Sequence, residues 1–132
     1  MKMIEVNTSS REELLDITGR VIEIVKKEGW KNGILFLYVP HTTAGITINE
    51  NYDPSVSEDI SDNLKRLFPP GKNYKHTEGN ADSHIKSSVI GNTTFLFLED
   101  GKPVFGTWQG IFLCEFDGPR KRKVYLKFFE EK

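Results

Sequence analysis

Ile34-Leu35-Phe36-Leu37-Tyr38-Val39 is the longest strongly apolar run in the chain, and it is apolar on both alternations. A run of this length reads as a strand, and two apolar alternations predict one covered on both faces. Gly33 releases the chain into it and Pro40 ends it. Beyond it, Thr42 to Asn49 alternates loosely and predicts a second strand. Asp53-Pro54 has the form of an N-cap followed by proline at the first helical position. Val56, Ile60, Leu64 and Leu67 then mark one helical stripe that Pro69-Pro70-Gly71 stops. On the amino-terminal side, Met3 to Thr8 reads as a strand. Ser10 to Glu13 has the form of a capping box, so a helix is expected from there, carrying Leu14, Ile17, Val21, Ile24 and Val25. Gly29 suits its left-handed end.

Farther on, Asn73 to Gly79 reads as an exposed connection, and a short helix is expected from Asn80 as N-cap to Gly91. Three strand-like runs follow, Thr93 to Leu98, Val104 to Phe116 and Lys123 to Phe129. The expected fold class is therefore α+β, a single domain over residues 1–132 with a largely antiparallel or mixed β-sheet, two main helices and a short third one. The last strands are expected to form a meander. Within Val104 to Phe116 both alternations carry large apolar residues, Trp108, Phe112 and Phe116 on one side and Ile111 and Leu113 on the other. Two helices are too few to cover so much, which points to a homo-oligomer.

The 132 residues carry 18 Lys+Arg against 19 Asp+Glu, a net charge of -1. No global field attracts nucleic acid or an anionic membrane, so any phosphate recognition must be local. A single cysteine, Cys114, closes no intrachain disulfide and fits a reducing compartment, so a cytoplasmic location is expected. No apolar run approaches the length of a membrane span, and Met1 to Ser10 holds nothing of signal-peptide length.

All three histidines, His41, His76 and His84, stand beside turn or helix-start signals. A lone histidine is ordinarily a surface or capping group, but three in such places point to a site. His76 to His84 gathers two imidazoles, Glu78, Asp82 and Asn80 within nine positions. Imidazoles with a carboxylate suit zinc or another transition metal, although the spacing matches no strong zinc signature. The same groups also suit metal-free acid–base work, with Asp82 or Glu78 orienting a histidine. Gly106-Thr107-Trp108-Gln109-Gly110 sets a hydroxyl, an indole and an amide between glycines, which fits either a bulged strand or a binding segment. In Arg120-Lys121-Arg122-Lys123, alternation sends Arg120 and Arg122 to one side, where they are candidates to hold a phosphate. No P-loop or dinucleotide fingerprint occurs, so no nucleotide cofactor is expected.

Pro40-His41-Thr42-Thr43-Ala44-Gly45 with Asn49-Glu50-Asn51 and Asp53-Pro54, His76 with Glu78-Gly79-Asn80-Ala81-Asp82-Ser83-His84-Ile85-Lys86-Ser87-Ser88, Gly106 to Ile111, and Glu115 to Arg120 together resemble the YjbQ family, also called the secondary thiamine-phosphate synthase family. The resemblance implies a compact α+β subunit, a homotrimer and a polar cleft shared by neighbouring subunits. It also implies an activity, the joining of a pyrimidine methyl diphosphate to a thiazole phosphate with release of pyrophosphate. On this reading His41, His76, His84 and Asp82 are catalytic candidates. Thr42, Thr43, Asn80, Lys86, Thr107, Trp108, Gln109, Arg120 and Arg122 are candidates to bind a small phosphorylated or heterocyclic metabolite. A divalent ion, zinc or magnesium, is a candidate cofactor, with His41, His76 and His84 as its ligands. Two other readings stay open: a metal-assisted hydrolase built on the histidines, and a non-catalytic trimeric ligand-binding module.

Overall fold

The computed structural model describes residues 1–71 and 73–132. In chain order the elements are β1 (Lys2–Asn7), β2 (Glu13–Asp16), α1 (Thr18–Glu28), β3 (Gly33–Tyr38), β4 (Ala44–Glu50), α2 (Pro54–Leu67), α3 (Ala81–Ile90), β5 (Thr93–Glu99), β6 (Lys102–Pro103), β7 (Gln109–Glu115) and β8 (Lys121–Glu130). They form two antiparallel sheets, one in the order β1-β8-β3-β5-β6 and one in the order β2-β7-β4. Leu35 and Leu37 of β3 lie in register with Leu96 of β5 and Leu126 of β8. These side chains meet Ile46, Ile111 and Leu113 of the smaller sheet and Val21 and Val25 of α1 in one shared core. No helix among the described residues is long and apolar enough to cross a membrane.

Several local expectations need correction. Glu13 does reach back, accepting from the backbone N–H groups of Ser9 (2.6 Å) and Ser10 (2.8 Å), but the box closes a turn before a strand and no helix follows it. Glu13–Asp16 pairs with the edge of β7, so a tertiary ladder overrides the local signal and Leu14 becomes a strand residue. The helix starts at Thr18 and ends as expected at Gly29, whose φ of 68° is left-handed. In β3 only Leu35 and Leu37 are buried, whereas Phe36 and Tyr38 are 43% and 44% exposed on the outer face. The expected two-sided cover is absent within one chain.

The run Val104 to Phe116 is a strand only from Gln109, and the turn before it leaves Trp108 outside the core. Instead of a meander, β7 crosses to the smaller sheet while β5 and β8 flank β3. β7 is buried from Gly110 to Glu115 within one chain, with Ile111 and Leu113 in the core shared with the larger sheet. Asp53 caps α2 as its sequence indicates, its Oδ1 accepting from Ser55 N–H at 2.9 Å, yet no residue of α2 is fully buried. Asn80 precedes α3 without capping it through its side chain.

Truncating Leu35, which is 0% exposed, deletes contacts on both neighbouring strands. Leu35→Ala is expected to cost about 2–5 kcal/mol and Leu35→Met less than about 1.5 kcal/mol, read by urea denaturation at fixed protein concentration.

Candidate functional site

The loop between β3 and β4, the entrance to α3 and the turn before β8 meet at one end of the sandwich. There they line an open recess of about 410 Å³ that includes His41, Thr42, Asn80, His84, Asp117 and Arg120. A second depression of about 350 Å³ shares His41, Thr42 and His84 with it and adds Ser87, Ser88 and Asn92. The two imidazoles thus stand on the partition between a charged lobe and a neutral, hydroxyl-bearing one.

The recess is held by a buried ion pair beneath it. Arg122 donates through Nε to Glu115 Oε1 (2.9 Å) and through Nη2 to Glu115 Oε2, to the Thr43 hydroxyl (2.9 Å) and to the Thr43 carbonyl (3.1 Å). Glu115 also accepts from the Thr8 hydroxyl (2.7 Å) and the Asp117 N–H (3.0 Å). Burial alone raises the pKa of this carboxyl, but the Arg122, Asp117 and Thr8 donors together hold it below its ordinary value. Arg122 is 3% exposed, so it positions the loop and does not present a free fork to a phosphate. Thr43 is buried in the same contact. The acidic residue ending an apolar strand was the sequence signal for this pair, because a carboxylate survives there only with a partner.

Each histidine is in a different state. The backbone N–H of Lys123 donates to His41 Nε2 at 2.9 Å. A ring nitrogen that accepts carries no proton, so neutral His41 holds its proton on Nδ1. Burial lowers the His41 pKa, and Arg122 adds to that effect while Glu115 opposes it. His41 is therefore a donor through Nδ1, since its other nitrogen is already occupied. For Asn80 the orientation is fixed by Asp117, whose Oδ2 accepts from Nδ2 at 2.9 Å. That turns Asn80 Oδ1 towards His76 Nε2 at 3.1 Å, and His76 donates there. The His76 and His84 rings stand edge to face with centroids 5.2 Å apart. His84 has no ring-nitrogen hydrogen bond among the described residues, which leaves both ring nitrogens available to a ligand.

No group of three His, Cys, Asp or Glu side chains is arranged to hold a metal ion among the described residues. With His41 Nε2 taken by Lys123 and His76 Nε2 on Asn80, the three imidazoles do not fit the expected ligand set within one chain. Asp82 and Lys86 also depart from expectation. They are i, i+4 on the inward face of α3, where Lys86 Nζ meets Asp82 Oδ2 at 2.8 Å and Glu12 Oε1, and Arg11 reaches Asp82 Oδ1 at 3.1 Å. Burial raises the Asp82 pKa, and Arg11 and Lys86 more than reverse it. Lys86 is 0% exposed and touches no recess, so neither residue meets a ligand there. Thr107 and Trp108 lie in the turn before β7 and Gln109 is the first residue of that strand, and none of the three lines the imidazole recess of their own chain. Gln109 serves that turn, its Oε1 accepting from Gly106 N–H at 2.8 Å.

A family model described as UPF0047 protein YjbQ-like matches residues 2–131. A UPF0047 protein of Methanocaldococcus jannaschii is 53% identical over 97% of this chain and 93% of its own length. The UPF0047 protein YugU of Bacillus subtilis is 43% identical over 96% of this chain and 97% of its own. Among solved structures, a YjbQ/UPF0047 protein of Clostridium acetobutylicum superposes with a TM-score of 0.94 at 46% identity, covering 98% of this chain and 100% of that one. A Sulfolobus solfataricus protein described as YbjQ-like and of unknown function superposes at 0.93 with 39% identity, over 98% and 96% of the two chains.

Two measurements check the site's electrostatics. Glu115→Gln leaves Arg122 buried without its countercharge and is expected to cost about 3–5 kcal/mol in chemical denaturation at pH 7. Because the folded Glu115 pKa is depressed, its contribution in the natural chain is present above the unfolded value of about 4.3 and fades as pH falls through the folded value. The variant should lose that part of the acid dependence. Nitrogen-15 NMR of the imidazoles should find His41 protonated on Nδ1 at pH 7, with a titration midpoint below about 6.5. A proton on Nε2 at pH 7 would contradict the Lys123 contact.

Proposed function

This chain belongs to the UPF0047 protein YjbQ-like family, and from that premise and the shape of the recess we propose that it is an enzyme acting on a small phosphorylated or heterocyclic metabolite. One observation carries the reading: His41 and His84 stand on one partition of the recess, His41 with Nε2 occupied by the Lys123 N–H and its Nδ1–H left to donate, His84 with no ring-nitrogen hydrogen bond among the described residues. As a hydrogen-bond donor His41 stabilises charge developing on a departing oxygen without releasing its proton, and the His84 ring beside it offers a second polar contact to the same group.

Arg120 supplies the anion contact. Its Nε donates to the Asp117 carbonyl (2.6 Å) and its Nη2 to Asp117 Oδ2 (2.9 Å), which orients the guanidinium and leaves Nη1 for a ligand. Asp117 and Glu78 balance much of the local positive charge, so the charged lobe suits one phosphate better than two. A diphosphate would bring charge that magnesium, which binds through substrate phosphates, is suited to neutralise. Within this class, the reaction we assign is the transfer that the family resemblance suggests. The C–O bond to the diphosphate breaks, the thiazole nitrogen forms the new C–N bond, and the departing oxygen meets the His41 Nδ1 proton and Arg120. Thr42 and Asn80 line the same lobe and orient the substrate.

The proposal extends to assembly. Phe36, Phe95, Phe97 and Phe129 form an exposed aromatic patch on the outer face of the larger sheet, with neighbouring ring centroids 5.6–6.0 Å apart. The chain exposes 7981 Å², against about 7,100 Å² for a compact monomer of its mass. Neighbouring copies would cover that patch, three in all as the resemblance implies. Cys114 is buried with its thiol pushed up to about 12, an inert group suited to the cytoplasm.

The test incubates the protein with the pyrimidine methyl diphosphate, the thiazole phosphate and magnesium, and follows pyrophosphate and thiamine phosphate together. His41→Ala and His84→Ala are each expected to lower kcat by about 10²-fold or more, and Arg120→Ala chiefly to raise KM. Absence of product with the natural chain would sink the transferase reading, and unchanged kcat in both histidine variants would remove the recess as its site. Sedimentation should give three times the chain mass, reduced to one by Phe95→Lys with Phe97→Glu.

A further inference from the structure

Trp108 stands away from the imidazole recess, yet its place is built. The turn before β7 is closed twice, by Gln109 N–H on the Gly106 carbonyl (3.1 Å) and by the Gln109 amide on Gly106 N–H. The Trp108 carbonyl accepts from Asn51 N–H at 3.0 Å. Gly110 leaves room for Asn51, because a Cβ there would lie 2.3 Å from Asn51 Nδ2, which donates to Asp16 Oδ2. With Asn51 pinned, the next residue, Tyr52, sets its ring 5.0 Å from that of Trp108 at 59°. Both remain open to solvent, Tyr52 at 75% and Trp108 at 53%.

These rings border a cleft of about 510 Å³ with Glu50, Asp53 and Pro54. A smaller depression of about 230 Å³ shares those three residues and adds Asp16. No Lys, Arg or His lines either, and none of the three carboxylates is in an ion pair among the described residues. Glu50 Oε2 accepts from Asp53 N–H and Asp53 Oδ1 from Ser55, which leaves Glu50 Oε1 and Asp53 Oδ2 unbonded among the described residues. Uncompensated negative charge beside two aromatic faces repels anions and attracts a cation. The acidic groups are not arranged as metal ligands, whereas π faces favour a weakly hydrated organic cation over a strongly hydrated inorganic one. We propose that this cleft binds a small organic ammonium ion, held against the solvent-open faces of the Tyr52–Trp108 pair with Glu50 and Asp53 as counter-charges. The proposal is independent of the reaction assigned to the imidazole recess.

The test titrates the full chain with tetramethylammonium chloride against sodium chloride at equal ionic strength. Tryptophan fluorescence is read in a Trp30→Phe background, since Trp30 is the only other tryptophan. A saturable change is expected with tetramethylammonium alone, on the order of millimolar in midpoint. Tyr52→Ala and Glu50→Gln, both at exposed or half-buried positions, should each raise that midpoint about two- to fivefold. An identical response to both salts, or a midpoint unmoved by either variant, would overturn the proposal. So would an assembly that Trp108→Ala dissociates and tetramethylammonium does not bind, because the rings would then be a subunit contact.

Discussion

The ion pair between Arg122 and Glu115 is the constraint on which the rest of the site depends. Glu115 closes β7 and Arg122 opens β8, so the pair bridges the two sheets at the end where the recess lies. Removing both charges from water is costly, and such a pair rarely stabilises a fold better than well-packed apolar residues would. What it provides is location. Through Thr8 it fixes the exit of β1, through Thr43 the loop carrying His41, and through the Asp117 N–H the turn carrying Arg120. Lys123 follows Arg122 directly, and its backbone N–H sets the His41 tautomer. The proton state of one imidazole is thus a consequence of where a buried guanidinium is anchored.

A second set of buried charges does the same for the opposite wall. The buried face of α3 is Ala81, Asp82, Ser83, Lys86 and Ser87, which is polar where most helices bury apolar side chains. Ser83 donates to the Phe116 carbonyl and Ser87 to the Ala44 carbonyl, each at 2.6 Å, while Lys86 sits between Glu12 and Asp82. No buried side-chain nitrogen or oxygen among the described residues lacks a partner. Hydrogen bonds are directional, so this docking fixes the rotation of the helix more tightly than a greasy face would. The opposite row, His84 and Ser88, is held facing the recess.

This polar docking also explains which parts of the molecule were legible in the sequence. Backbone chemistry was readable wherever one residue type is nearly required, as at Gly29 in its left-handed turn and at Asp53-Pro54 before α2. Hydrophobic alternation located most strands, but it carries no record of which strands share a sheet. For that reason β7 reads from sequence as part of a meander, while Glu13–Asp16 reads as helix because the Ser10–Glu13 box is also a helix-start signal. In the site, His41, His84, Thr42, Asn80 and Arg120 were legible as polar residues beside turns, and they do converge. Arg122, Lys86 and Asp82 are instead engaged in buried ion pairs, Arg122 while still lining the recess. Residue type alone does not distinguish a charge aimed at a ligand from one buried against another charge. Their signals lay in the pairing, Glu115 within an apolar strand and Asp82 four residues before Lys86.

A net charge of -1 conceals a separation of chemistry along one ladder. Strands β4 and β7 pair over seven residues, from Ala44 opposite Glu115 at the recess to Glu50 opposite Gln109 at the aromatic cleft. At about 3.4 Å per residue the two ends lie roughly 20 Å apart, well beyond the screening distance of about 8 Å at physiological salt. Neither the guanidinium and imidazoles at one end nor the carboxylates at the other feel much of their counterpart. A molecule of one ring and one phosphate is too short to touch both. Each end therefore discriminates by its own local charge.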